Sequence, residues 1–259
     1  MKKDPRIIIR LAWQSLFLLL GGLSVYFIYR GWIASAHALC PYAIVCFGAR
    51  NAGFIKITSA LFAYAIVGGF AICIISMFIG RKFCGYICPL GSIQEAVYKF
   101  HQKRCYRKNR FPFYLERKLG KLKYLVLIVN VLAVALGGAV LYMRFCPVMA
   151  LSALSRIGIA GAVILGLVAL GGFFVERFWC RFFCPYAALL NVFQQVGDLF
   201  GIKRSLVMRN LEKCNECGVC ASYCPMNINI MEAETVVDVN CIHCDMCALA
   251  CPKKGMSKT

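Results

Sequence analysis

The sequence predicts a mainly α protein: a four-helix transmembrane bundle built from two parallel two-helix repeats, followed by a small α+β domain. Three observations predict it. Four stretches are apolar over the thickness of a bilayer, the chain repeats its own motifs at matching places, and cysteines crowd its C-terminal end. Composition agrees. Of 259 residues, 61% are hydrophobic and only 16% charged, against roughly 45–50% and about 25% in soluble domains. A soluble globular fold and a disordered chain are both excluded on these figures.

A membrane-spanning helix needs about 20 mostly apolar residues to cross roughly 30 Å of hydrocarbon. The stretches that qualify run from about Leu11 to Ile33, Ile57 to Ile79, Tyr124 to Tyr142 and Ile157 to Val175. None carries a polar stripe of helical period, as expected for lipid-embedded helices. Four buried helices of a soluble core are the alternative, but too little polar sequence remains to cover such a core. The first stretch is too long for a signal-peptide core and has no small-residue cleavage site before Leu39, so an uncleaved span is expected.

The formal charge is +19, from 30 Lys+Arg against 11 Asp+Glu. Its distribution matters more than its size. Lys2, Lys3, Arg6 and Arg10 precede the first span. Between the second and third spans, the stretch from Lys99 to Lys123 is filled with basic residues and holds Glu116 as its sole acid. Lys203, Arg204, Arg209 and Lys213 follow the fourth. The loops near Cys40–Lys56 and Arg144–Arg156 are sparsely charged. The positive-inside rule then puts both termini and the middle loop in the cytoplasm of a bacterial or archaeal cell, with the chain multi-pass in the cytoplasmic membrane. The charge reports topology, and no nucleic-acid partner is expected. The basic loop could also meet anionic lipid heads or an acidic redox partner.

The repeat is read from its cysteines. Cys40-Pro41 follows the first span, and Cys84-Gly-Tyr-Ile-Cys88-Pro89 follows the second. Cys146-Pro147 follows the third, and Cys180-Arg-Phe-Phe-Cys184-Pro185 the fourth. Short amphipathic helices are expected after each motif, at Ile93–Phe100 and Leu190–Phe200. The repeats, about 11–100 and 122–200 within a membrane domain of 1–200, are parallel and related by an axis near the membrane normal. Cys84, Cys88, Cys180 and Cys184 then share the cytoplasmic face, and Cys40 and Cys146 the outer face.

The most specific pattern lies at 201–259. It reads Cys214-x2-Cys217-x2-Cys220-x3-Cys224-Pro225, then Cys241-x2-Cys244-x2-Cys247-x3-Cys251-Pro252. This is the bacterial ferredoxin run in duplicate, in which three thiolates wrap one cubane and the fourth cysteine reaches the other. The expected sets are Cys214, Cys217, Cys220 and Cys251 for one [4Fe-4S] cluster and Cys241, Cys244, Cys247 and Cys224 for a second. The domain is therefore a cytoplasmic twin-cluster bacterial ferredoxin domain, stabilised by its clusters. Zinc is the alternative for soft thiolates, but zinc does not need this triple followed by Cys-Pro. Disulfides do not suit the reducing cytoplasm.

The paired Cys-x3-Cys-Pro motifs supply four thiolates, enough for a third iron–sulfur cluster on the pseudo-twofold axis. Separate cofactors in each half, or cysteines that merely pack, are the alternatives. Cys40 and Cys146 could hold a cofactor at the outer face, form a disulfide there, or do neither, and Cys46 lies nearby. Cys73 and Cys105 have no partner in the repeat and are read as non-ligands. No Cys-x-x-Cys-His occurs, so covalent c-type haem is excluded. His37 reads as a solvated interfacial residue, with quinone, proton or haem binding as the alternative. His243 reads as local packing, and His101 carries little signal. Glu176-Arg177 reads as an interfacial pair, the acid being a candidate acceptor of quinol protons.

Four spans, two Cys-x3-Cys-Pro motifs and a C-terminal twin-cluster domain resemble NapH, the membrane quinol-dehydrogenase component of periplasmic nitrate reductase systems. They also resemble the wider group containing NosR and the CcoG/RdxA assembly factors. The resemblance covers the chain from about residue 11. It implies a non-catalytic carrier that takes electrons from menaquinol or ubiquinol to an iron–sulfur, flavin or haem partner. Cys40-Pro41 and Cys146-Pro147 depart from the NapH pattern, so the resemblance does not extend to nitrate reduction. Three readings follow. One is a quinol-dehydrogenase-like subunit. Another is a transmembrane electron wire from a cytoplasmic low-potential donor to an outer-face partner through a cofactor at Cys40/Cys146. The last is a redox-sensing or assembly factor.

Overall fold

The computed structural model describes residues 4–30, 40–42, 45, 60–105, 112–136, 145–152, 158–202, 204, 206–232 and 234–258. Helix α1 (Pro5–Tyr29) starts where Asp4 accepts a hydrogen bond from the Arg6 amide at 3.0 Å and Pro5 takes the first helical position. Helix α2 (Ala60–Ile79) ends at Gly80, whose φ of 67° no β-carbon opposes. A short α3 (Lys82–Tyr86) leads into α4 (Pro89–Cys105). After α5 (Phe113–Leu119), the second half follows the same plan. It comprises α6 (Leu122–Ala135), α7 (Pro147–Ser152), α8 (Ile159–Phe174), α9 (Phe178–Phe182) and α10 (Pro185–Leu199).

The amphipathic helices are longer than the sequence suggested. Pro89 and Pro185 cannot continue a preceding helix but are preorganised to begin one, so α4 and α10 start directly at the cysteine motifs. The repeats exchange these helices. Helix α10 packs on α2, and α4 packs on α8, so each half completes its core with a helix of the other. Within the halves, α4 also meets α1 and α10 meets α6. Large apolar side chains face outward, among them Leu19, Val67, Ile128 and Leu167. Among the described residues, Pro5–Tyr29 is the one helix both long and apolar enough by itself to cross a bilayer, and Ile66–Ile79 and Ile159–Phe174 are shorter apolar helices.

The C-terminal domain contains β1 (Val207–Arg209), α11 (Val219–Ser222), β2 (Thr235–Val236), α12 (Met246–Ala250) and β3 (Met256–Lys258). Its antiparallel sheet has the order β2-β1-β3, with Val207 opposite both Val236 and Lys258. One apolar cluster joins Cys84, Tyr186 and Leu190 of the helical half to Val207, Ile228, Val236 and Ile242 of this domain.

The domain seats through a close backbone approach. A β-carbon on Gly85 would lie 2.8 Å from the Ile242 carbonyl oxygen. Gly85→Val is expected to weaken this seat by about 1–3 kcal/mol, the usual cost of overpacking. Limited proteolysis near Ile202 should accelerate while helical content stays constant. An unchanged cleavage rate would overturn the expectation.

Candidate iron–sulfur sites

Both ferredoxin-type runs wind the same way. Glu216 and Gly218 in the first, and His243 and Asp245 in the second, adopt left-handed backbone conformations with φ from 50° to 68°. These are the second and fourth residues after the leading cysteine of each run. L-residues resist this conformation. Its recurrence curls successive amides into concavities that suit an anion.

The buried Cys220 thiol is pushed up by burial, and its neighbours Cys251, Cys214 and Cys217 add to the shift while the Ala221 amide opposes it. Cys224 is likewise raised by burial, with Cys244 and Cys241 beside it. Burial pushes Cys247 up to about 12, again beside Cys244 and Cys241. A small cavity is lined by Cys224, Cys241, Cys244 and Cys247, with Ile228 and Ile242 closing it. The Gly255 amide donates to Cys251 Sγ at 3.4 Å. Of these thiols, Cys217 is exposed.

The Cys-x3-Cys-Pro motifs come together across the repeat axis. Cys180 is raised by burial and by Cys88, Cys184 and Cys84, against the pull of Arg177. Burial pushes Cys184 up to about 12, with Cys84 and Cys88 adding and the Ala187 amide opposing. Cys88 is raised by burial and Cys84, while the amides of Gly91 and Leu90 oppose. Cys88 and Cys184 thus sit at the N-termini of α4 and α10, where free amides and the helix dipole favour negative charge. Among the described residues, no three His, Cys, Asp or Glu side chains surround a single ion.

Two fully buried arginines lie between this foursome and the second ferredoxin-type run. Arg177 donates to the Cys84 carbonyl and acts on Cys180 and Cys244. Arg81 acts on Cys184 and Cys241, and donates from Nη1 to Asn191 Oδ1 at 3.2 Å and Asn240 Oδ1 at 3.5 Å. Its Nε and Nη2 have no hydrogen-bond partner among the described residues. A buried guanidinium so placed calls for an anion. Thiolates and an anionic cluster supply one, so the donor set and its charge both fit iron–sulfur clusters.

Several sequence expectations change. Arg177 does not pair with Glu176. Its left-handed backbone, φ 55°, turns it inward to Glu95 at 2.7 Å. Glu95 also receives Arg10 at 2.6 Å, Lys99 and Gln14. Burial pushes Glu176 up to about 7, with Glu95 adding to the shift. Cys40 lies beside the middle of α2 rather than at its end. The neighbouring Pro41 carbonyl oxygen takes up the space a β-carbon on Gly69 would need, ten residues into α2 from Ile79, or about 15 Å at 1.5 Å per residue. Tyr42 meets Tyr186 edge-on at 6.1 Å and accepts from Asn130. Cys73 hydrogen-bonds Tyr186, whose hydroxyl is held up by burial with Cys73, Cys84 and Cys40 around it.

Cys146 is buried immediately before α7, and no disulfide joins it to Cys40. His243 packs its ring against Gly80. His37 and Cys46, and the Cys105 side chain, lie outside the described residues. Sequence reasoning missed Arg10, Glu95 and Asn191. The repeat offered a signal for the last two, because each lies eleven residues past the first cysteine of its motif.

A family described as "4Fe-4S binding domain" matches residues 61–108 and again 157–206, and a "4Fe-4S dicluster domain" matches 206–252. The chain is similar to an uncharacterized protein of Methanocaldococcus jannaschii, 31% identical over 188 residues, which cover 72% of this chain and 75% of that one. It is similar to the putative electron transport protein YccM of Escherichia coli, 30% identical over 190 residues, 70% of this chain and 52% of that one, so it spans about half of that relative. The methylamine utilization ferredoxin-type protein MauN of Paracoccus denitrificans is 27% identical over 213 residues, 79% of this chain and 69% of that one. No solved structure matches the chain.

Proposed function

The chain belongs to the NapH/NosR-like group of ferredoxin-type, iron–sulfur membrane proteins, and from that premise we propose that it carries electrons between the membrane quinone pool and a separate redox partner. The reading is supported by three groupings of cysteines, Cys220 beside Cys251, Cys214 and Cys217, Cys224 beside Cys244 and Cys241, and Cys180 beside Cys88, Cys184 and Cys84. Arg177 acts on both Cys244 and Cys180, and Arg81 on both Cys241 and Cys184, so two buried cations are shared by the second and third groupings. Each bound [4Fe-4S] cluster takes up or releases a single electron. The protein's residues place these groups, exclude water and tune their charge.

In this reading, four helices cross the cytoplasmic membrane, with the basic segments and the ferredoxin domain on the cytoplasmic side. Cys214, Cys217, Cys220 and Cys251 hold one cluster, Cys241, Cys244, Cys247 and Cys224 a second, and Cys84, Cys88, Cys180 and Cys184 a third. Glu176, half-buried just beyond α8 and beside Tyr98, is the candidate group for proton exchange with the quinone.

A second reading, the transmembrane wire, is supported by Cys40, Tyr42, Cys73 and Tyr186. They continue from Cys84 into the interior of the bundle. Non-helical chain at that depth is tolerated only where protein surrounds it, as it surrounds Tyr42 here.

Full-length protein reconstituted anaerobically in nanodiscs should contain about twelve iron atoms per chain, four for each of three cubanes. Menaquinone should abolish the EPR signals of dithionite-reduced protein, or menaquinol should generate them in oxidised protein. If neither changes the signals, the quinone reading fails and redox sensing or assembly becomes the better account.

A further inference from the structure

Arg81 and Arg177 provide an internal comparison. Each lies three residues before the first cysteine of its motif and is fully buried. Each reaches across to the other repeat, to the residue eleven positions past that motif's first cysteine. For Arg177 that residue is Glu95, a carboxylate within 2.7 Å. For Arg81 it is Asn191, a neutral amide at 3.2 Å. The same architecture therefore gives one guanidinium a carboxylate counter-charge and the other only a neutral amide. Arg81 shares the Asn240 Oδ1 acceptor with Lys123 and Asn191, and no carboxylate forms an ion pair with it among the described residues.

We propose that Arg81 raises the reduction potential at the cysteine sets meeting on the domain interface above that at the outer Cys214/Cys217/Cys220/Cys251 set, and so directs electrons inward toward the bundle. This rests on the ligand sets proposed above and adds the direction of flow. The step moves one electron from the outer set to the interface. No bond or proton is exchanged, and a low-potential one-electron carrier in the cytoplasm refills the outer set. An added electron makes the interface more negative. Burial alone would oppose that change. A guanidinium is charged at every relevant pH, and one with no exposure to water attracts with little screening. Around the outer set, Cys217 is open to solvent and Arg209 is offset by Glu216 at 3.5 Å.

Potentiometric EPR on the reconstituted full chain tests this. The outer signal is identified by its faster relaxation when a soluble paramagnetic complex is added. In the wild type, the interface signals should reduce at higher potential than the outer one. Arg81→Gln should lower the interface midpoints and leave the outer one in place, and Arg81→Lys should restore them. Asn191→Glu, which copies Glu95 beside an intact Arg81, should produce the same downward shift. Normal iron content with unmoved interface midpoints in both Arg81→Gln and Asn191→Glu would overturn the proposal, as would an outer signal that reduces first. Wild-type protein binding only about eight iron atoms, two cubanes' worth, would instead overturn the underlying three-cluster assignment.

Discussion

Replacing Cys84 and Cys180 by serine is expected to remove about four of about twelve iron atoms per chain, one cubane's share, and to disconnect the ferredoxin domain from quinone. The reasoning starts from position. Cys180 lies beside Cys88, Cys184 and Cys84, and the backbone amides of α4 and α10 face Cys88 and Cys184. One cysteine from each repeat is removed, so neither half keeps its pair of thiols.

The ferredoxin domain has its own sheet and its own cysteines. Its two clusters should therefore assemble and remain reducible by dithionite. Electron exchange with menaquinone should fall to the uncatalysed background. Cys73→Ser, at a position in neither ferredoxin-type run nor either Cys-x3-Cys-Pro motif, should retain all of the iron. Undiminished iron in Cys84→Ser/Cys180→Ser would show that the foursome is packing and that each half relies on other ligands.

How much of this was legible beforehand depends on distance along the chain. The ferredoxin-type runs were readable because the chemistry sits within eleven residues of contiguous sequence, and the left-handed winding follows the same spacing twice. The meeting of Cys84 with Cys180 was readable through the repeat. The ion-pair hub was not. Glu95 finds Arg10 at a separation of 85 residues and Arg177 at 82, and both meetings depend on helices exchanged between halves. Adjacency misled in the case of Glu176-Arg177, because a single left-handed residue sends the two side chains to different surroundings. The depth of Cys40 was invisible for another reason. Hydropathy measures how long a stretch is, not whether the loop after it turns back against Gly69.

That hub gives the largest expected effect on stability. Glu95 is 3% exposed, and its carboxylate accepts from Arg10, Arg177, Lys99 and Gln14. Burial pushes its acidity toward the neutral form, but Arg177, Arg10 and Lys99 outweigh that and hold the carboxyl down at about 2. Glu95→Ala leaves two buried guanidiniums without their counter-charge, which should cost about 3–5 kcal/mol. Thermal unfolding of the detergent-solubilised holoprotein should show this as a marked drop in Tm.

The sign with pH follows from linkage. A carboxyl depressed in the folded state stabilises fully above its ordinary pKa of 4.5 and loses that contribution as pH falls toward about 2. Wild type should therefore lose stability across that acidic window more steeply than Glu95→Ala, and the two curves should converge at its lower end. Arg10 and Arg177 hold the first helix and the second repeat to α4 through this one carboxylate. A variant as stable as wild type at neutral pH would mean that the hub is replaceable and that apolar packing between α4 and α8 alone joins the repeats.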